Sequence, residues 1–225
     1  MNMNMNKNIK IVSIEGNIGS GKSTFLTKLK EHYKENVKIV FVDEPVSEWE
    51  KIIDPNSGEN MIQKFYNDQE KYSFPFQMMA YISRLAMLKD VYESNDNCII
   101  ITERSLFTDK YVFAQMLYDD GKIEDINYQI YKKWFDTFAK DFPVDQFIYV
   151  NTHPNKCYER VGKRSRTGES NIPLDYLVNC DTYHNKMMSN FTTILTLDGN
   201  VDINEKQTQM QEWIQLIDSD IILIE

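Results

Sequence analysis

The residues Gly16-Asn17-Ile18-Gly19-Ser20-Gly21-Lys22-Ser23, followed by Thr24, satisfy the spacing G-x-x-x-x-G-K-[ST]. Glycines in this pattern let backbone N–H groups turn inward around an anion. Lys22 adds a mobile positive charge for β and γ phosphate oxygens, and Ser23 adds a hydroxyl for Mg²⁺. This set binds a nucleoside triphosphate and leaves the phosphate acceptor open, because hydrolases, switches and small-molecule kinases all use it. Other residues could complete the chemistry. Glu44, before Pro45, supplies a carboxylate able to take a proton from a hydroxyl. Gln77, Ala80 and Arg84 recur at i, i+3 and i+7, so an amide and a guanidinium share one helix face and can read a base edge. The stretch from Arg160 through Arg164 to Arg166 concentrates positive charge suited to a phosphoryl transition state. Each also has an ordinary reading: a loop acid, an exposed face, a solvated basic helix.

These residues need elements to hold them. Apolar, β-branched runs at Ile9 to Ile14, Val37 to Val42, Cys98 to Ile101, Gln146 to Val150 and Thr192 to Leu197 predict five strands. Helical patterns lie between them: Thr24 to Lys34, Asn60 to Ser94 interrupted by Pro75, Ser105 to Lys140 with a turn near Asp120-Gly121, Leu174 to Asn190, and Asn204 to Leu216. The alternation predicts an α/β fold, a parallel sheet covered by helices on both faces. Ligands in such sheets gather beyond the strand carboxyl ends, where Glu15-Gly16, Asp43-Glu44, Glu103-Arg104 and Asp198-Gly199 fall.

Composition limits the partners. Against 34 acidic residues stand 25 Lys and Arg, a net charge of −9, which argues against nucleic acid or an anionic membrane held by a broad basic surface. Any phosphate must be bound by a local cluster. No apolar run approaches the roughly 18 residues of a bilayer span. Cys98, Cys157 and Cys180 form no ligand pattern and read as reduced thiols of a cytoplasmic protein. Residues 1–8, low in complexity, are expected to form a disordered tail, and residues 9–225 a single domain.

Glu44-Pro45-Val46-Ser47-Glu48-Trp49, Tyr72-Ser73-Phe74-Pro75-Phe76-Gln77, Glu103-Arg104-Ser105 and Ile172-Pro173-Leu174-Asp175-Tyr176-Leu177 resemble, in order and spacing, the deoxycytidine/deoxyguanosine kinase family. The resemblance spans roughly residues 9 to 216. It implies a three-layer P-loop kinase fold with a five-stranded parallel sheet, an Arg-rich lid at about residues 160–170, and transfer of the γ-phosphate of ATP or another triphosphate to the 5′-hydroxyl of a deoxyribonucleoside in nucleotide salvage.

By the same resemblance, Glu44 is the general base, Ser23 and Glu103 hold Mg²⁺, and Lys22, Arg104, Arg164 and Arg166 stabilise the phosphates. Gln77 bonds the base; Trp49 and the Phe74, Phe76 and Phe107 region wall the sugar and base; Tyr66 and Glu169 hold the 3′-hydroxyl. Arg160, Asp202 and Ile203 accompany the phosphate loop around the donor. Arg84 with Asp109 resembles the charged pair of deoxycytidine and deoxyguanosine kinases, where thymidine-preferring relatives are apolar, so deoxycytidine and the purine deoxynucleosides are the expected acceptors. The chain departs from the family at Ser165, commonly Gly, at Gly168, commonly acidic, and at Ile203, often aromatic, so donor preference stays open. A homodimer is implied, with the helices at Met78 to Asp90 and Ser105 to Tyr118 as candidate faces. The rivals are a thymidine-preferring or broad deoxynucleoside kinase, a thymidylate-type monophosphate kinase, which needs an extra basic site for its acceptor's own phosphate and against which Glu44 at the acceptor position argues, and a non-catalytic nucleotide switch or nucleic-acid-dependent ATPase.

Overall fold

The computed structural model describes residues 7–164, 168, 169, 172–192, 194–201 and 207–220. Five strands form within them: β1 (Asn8–Glu15), β2 (Ile39–Val42), β3 (Asn97–Glu103), β4 (Gln146–Asn151) and β5 (Ile194–Asp198). All neighbours are parallel, in the order β2-β3-β1-β4-β5. The helices are α1 (Lys22–His32), α2 (Val46–Glu50), α3 (Met61–Asn67), α4 (Gln69–Ser94), α5 (Leu106–Thr108), a π-helical segment (Asp109–Ala114), α6 (Gln115–Asp119), α7 (Asp125–Phe138), a 3-10 turn (Ala139–Asp141), α8 (Pro154–Arg164), α9 (Leu174–Met188) and α10 (Gln207–Asp220).

The apolar runs are continuous because side chains on both faces of the sheet are buried, alternating with the period of two that the strand imposes. Val12 and Ile14 of β1, with Ile99 and Ile101 of β3, pack against Phe25, Leu26 and Leu29 of α1 and Trp213 and Ile217 of α10. Ile11, Cys98 and Ile100 face the other way, against Ala80, Tyr81 and Leu88 of α4 and Tyr131 and Phe135 of α7. The register Ile14↔Glu103 and Glu15↔Tyr149 brings the carboxyl ends of β1, β3 and β4 level, so residues just beyond them share one edge.

Three sequence expectations need correction. The interruption expected at Pro75 falls at Asp68, between α3 and α4. Asp68 leaves the helix at φ −149°, its N–H still donating to the Lys64 carbonyl, and its carboxylate caps the next helix at Lys71 N, 3.1 Å away. Pro75 lies inside α4, where burial of Ser73, Phe76, Gln77 and Ala80 offsets the one hydrogen bond that proline cannot make. The second correction is α8, a helix through Arg164 that none of the expected helical patterns covered and that carries the first part of the expected lid. Third, the expected tail is shorter at its inner end, since Asn8 already pairs with Asn97; residues 1–6 lie outside the described residues.

Lys7 is also tied down. Its ammonium donates to the carbonyls of Tyr92 (2.9 Å), Glu93 (3.1 Å) and Asn95 (2.7 Å), the acceptors that the end of α4 leaves without helical partners. Lys7→Met is expected to lower stability by about 1–2 kcal/mol in urea unfolding, since these bonds are charge-assisted and partly shielded. An unchanged midpoint would mean that water replaces the lysine without loss.

Candidate active site

Beyond the carboxyl ends of β1, β2 and β3 opens a cavity of about 440 Å³. Its floor is the loop between β1 and α1, and the glycines there have steric reasons. A side chain on Gly16, at φ +144°, would meet the Val150 carbonyl at 2.6 Å; one on Gly19, at φ +78°, would meet the Cys157 carbonyl at 2.5 Å. The loop therefore runs against β4 and α8. Asn17 fastens it to α9 by donating from its side-chain amide to the Leu177 carbonyl (2.8 Å), while its Oδ1 accepts from Ile18 N. Ile18, Gly19, Ser20, Gly21, Lys22, Ser23 and Thr24 line the cavity, and Gly16 and Asn17 tie the same loop to Arg104 and to α9.

Lys22 folds back over the loop, donating to the Asn17 carbonyl at 2.7 Å. Burial, and then the Arg104 charge, lower its ammonium to about pKa 7, with Glu103 and Glu44 resisting. Ser23 Oγ donates to Glu103 Oε1 at 2.7 Å, pairing a hydroxyl from α1 with a carboxylate from the end of β3.

Arg104 follows β3 with φ +65°, a rare conformation for a side-chain-bearing residue. The turn is held on both sides: Arg104 N donates to the Ile14 carbonyl, and Ser105 caps α5 through Thr108 N. Beneath it the buried Glu15 carboxylate accepts from Ser13 (2.7 Å), Ser105 (2.6 Å) and Thr108 hydroxyls. The Arg104 guanidinium then donates Nη1 to the Gly16 carbonyl (2.8 Å) and pairs Nε with Glu44 Oε1 (3.2 Å). Arg84 of α4 meets the same oxygen through Nη2 (3.2 Å), gives Nη1 to the Glu103 carbonyl (2.7 Å) and gives Nε to Asp109 (2.9 Å). Burial alone would raise the Glu44 carboxyl, yet Arg104, Arg84 and Lys22 outweigh it and hold it at about 2. Asp109 is pushed the other way, up to about 6, by burial only partly countered by Arg84. A continuous charged relay thus runs from the phosphate loop through Arg104, Glu44 and Arg84 to Asp109.

In the same cavity Gln77 is buried, and its Oε1 has no hydrogen-bond partner among the described residues. Such an orphan acceptor is destabilising unless a ligand satisfies it. The surrounding wall is aromatic: Trp49 is anchored by Ser83 Oγ at 2.8 Å and meets Phe76 edge-on, Phe76 stacks on Phe65 at 4.5 Å, and Tyr66 stands edge-on to Tyr176 at 6.2 Å. Glu169 lies close enough to Tyr66 to help raise its hydroxyl well above the ordinary value, behind the larger effect of burial. Glu169 also pairs with Arg164. Arg160 binds the carbonyls of Ser20 (3.1 Å) and Gly199 (2.8 Å), joining the phosphate loop to the turn after β5. Phe74 and Phe107, expected on the wall, pack into the core instead. Arg166, Asp202 and Ile203 lie outside the described residues.

A family model described as deoxynucleoside kinase matches residues 12–222. The chain is 33% identical over 237 residues to deoxycytidine kinase of Rattus norvegicus, covering 92% of this chain and 90% of that protein. Against deoxycytidine kinase 1 of Xenopus laevis it is 32% identical over 239 residues, with 93% and 89% covered. Against the mitochondrial deoxyguanosine kinase of Xenopus laevis it is 28% identical over 217 residues, with 88% and 81% covered.

The chain belongs to the deoxynucleoside kinase family.

As such a kinase it is a phosphotransferase of nucleotide salvage, acting on a nucleoside and a nucleoside triphosphate, and ATP is the donor that deoxynucleoside kinases generally use. Within the described residues of the kinase no helix is long and apolar enough to cross a membrane. Several of its site residues carry no local signal. Phe65, Phe113 and Tyr176 line the cavity, yet in sequence they look like the other aromatics of helical stripes. The π-helical segment offers one clue missed in the sequence, because it carries both Asp109 and Phe113 to the cavity.

Proposed function

We propose that the acceptor hydroxyl sits beside Glu44, with the base toward Gln77, Arg84 and Asp109 and the donor triphosphate in the loop of residues 16–24. The carrying observation is the relay from the phosphate loop through Arg104, Glu44 and Arg84 to Asp109, which shares one cavity with Gln77, whose Oε1 has no partner among the described residues. Glu44 takes the 5′-hydroxyl proton while Lys22, Arg104, Arg164 and Arg166 neutralise charge developing on the transferred phosphoryl. Tyr66 and Glu169 clamp the 3′-hydroxyl, and Trp49 and Phe76 wall the sugar and base. Arg160 is assigned to the donor by its bonds to the phosphate loop and the turn after β5, and Asp202 and Ile203 are assigned to it by the family resemblance alone. The paired hard oxygens of Ser23 and Glu103 suit Mg²⁺, which when bound supplies charge neutralisation on the donor phosphates.

Deoxycytidine and the purine deoxynucleosides are the preferred acceptors. The support is the buried Arg84–Asp109 pair, whose polar edge complements exocyclic amino and ring nitrogen atoms rather than a thymine methyl. Initial rates with ATP and Mg²⁺ across the four deoxynucleosides and their monophosphates test this. Phosphorylation of deoxycytidine, deoxyadenosine or deoxyguanosine with thymidine poor is expected; thymidine alone would overturn the specificity, and monophosphates alone the acceptor assignment.

The kinase is further proposed to act as a cytoplasmic homodimer. Its three buried, unpaired cysteines suit a reducing compartment. On α7, Ile126, Ile130, Trp134 and Phe138 are exposed at four-residue spacing, beside exposed Ile82 and Tyr111. Such a stripe favours a self-complementary contact. Sedimentation is expected to give a dimer, and Trp134→Glu a monomer; a monomeric parent protein would refute it.

A further inference from the structure

His184 belongs to α9, 80 residues beyond Arg104 in sequence, and its side chain is wholly buried. Its Nδ1 lies 2.8 Å from the Cys180 carbonyl and its Nε2 lies 3.3 Å from Arg104 Nη1. A carbonyl can only accept and a guanidinium can only donate, so these neighbours leave one tautomer: Nδ1 carries the proton and Nε2 is a bare acceptor. We propose that His184 is a positioning residue for Arg104, a neutral acceptor that aims the guanidinium at the transferred phosphoryl. The inference rests on the reading of Arg104 as a phosphate-stabilising group.

The Arg104 guanidinium is held by an ion pair and two hydrogen bonds. Nε pairs with Glu44, the two hydrogens of Nη1 go to the Gly16 carbonyl and to His184, and the Phe113 ring lies under the guanidinium carbon at 5.0 Å. Nη2 has no acceptor among the described residues, and Arg104 lines the cavity. Gly16 and Glu44 hold two edges of the fork, and without the third contact the plane can swing about the axis they define. Rotation would carry Nη2 off the phosphoryl oxygens without removing the charge from the site. Burial, followed by the Arg104 charge, keeps the imidazole well below the ordinary histidine range, which preserves the acceptor. The ring is itself held edge-on by Phe113 at 6.2 Å and stacked by Tyr149 at 6.4 Å.

Two substitutions separate positioning from packing. The Gln side chain can present an oxygen near the site of Nε2, whereas Leu fills space without an acceptor. His184→Leu is expected to lower kcat about 30-fold with KM for both substrates within about twofold, and His184→Gln to stay within about threefold of the parent, because misalignment of a transition-state contact lowers turnover rather than binding. The double variant with Arg104→Gln should be no slower than Arg104→Gln alone. Equal loss, or no loss, in the Leu and Gln variants would overturn the inference. Wild-type turnover in Arg104→Gln would instead remove the underlying reading, and the two failures are distinguishable. Should His184→Leu not fold, ¹⁵N spectroscopy of the intact enzyme decides: Nδ1 protonated, with an Nε2 signal that shifts in Arg104→Gln, is expected, and a protonated Nε2 would overturn it.

Discussion

Glu44→Gln is expected to lower kcat about 10³-fold while leaving the KM of the nucleoside within a few-fold, the size associated with removing a positioned proton acceptor. The carboxylate is ionised in the unliganded enzyme because Arg104, Arg84 and Lys22 overcome the effect of burial and hold it at about 2. So acidic a group is a poor base toward an intact alcohol. It becomes competent only once the hydroxyl has begun to bond to phosphorus, which suits a loose transition state in which proton transfer comes late. The variant should still fold. Arg84 keeps Asp109 and the Glu103 carbonyl, and Arg104 keeps the Gly16 carbonyl and His184, so neither guanidinium is abandoned. Steady-state kinetics beside a thermal melt separate the outcomes; turnover within about tenfold of the parent, with an intact melt, would exclude Glu44 as the base.

Lys22→Met should lower kcat/KM for the triphosphate about 10³-fold, and it should also remove a proton linkage. In the free enzyme burial and Arg104 bring the Lys22 ammonium down to about 7 from its ordinary 10.5. Bound phosphate stabilises the charged form and must raise that value. The sign follows: above about pH 7 the free lysine is largely neutral, so binding takes up a proton, and affinity falls as pH rises toward the ordinary lysine value. Below about pH 6 both states are protonated and the linkage vanishes. Calorimetric titration at about pH 8, in two buffers of different ionisation enthalpy, measures the uptake directly. Close to one proton per triphosphate is expected for the parent enzyme and none from this source in the Met variant. Equal uptake in both would show that Lys22 is charged before the ligand arrives. The folded enzyme meanwhile gains stability from this group as pH rises from about 7, because the unfolded chain then binds the extra proton.

Much of the chemistry was legible in contiguous residues. The spacing of Gly16, Gly21, Lys22 and Ser23 sets a loop conformation by steric and hydrogen-bonding rules that act over a few residues, so a phosphate site could be read before any tertiary contact was known. The same locality made the five strands visible as apolar runs and located Glu44 and Glu103-Arg104 at strand ends. Locality also explains the errors. A proline in a helical pattern signals a break because one hydrogen bond is lost, and only the burial of the α4 face reverses that balance, while the real break at Asp68 depends on a cap formed across two helices.

What only the tertiary structure decided is which distant residues share charge. Glu44 is an ordinary loop acid in sequence, and it becomes a clamped carboxylate because β2 and β3 lie side by side and α4 brings Arg84 beneath them. His184 follows no motif, since its meaning depends on β3 ending level with β1 and on α9 packing behind the phosphate loop. The sequence by itself determined the phosphate-loop pattern and the strand ends that carry Glu44 and Glu103-Arg104, because local backbone geometry sets both. The sheet order β2-β3-β1-β4-β5 decided the pairing of acid, guanidinium and imidazole, because electrostatic interactions act through space and depend on distances that chain separation does not encode.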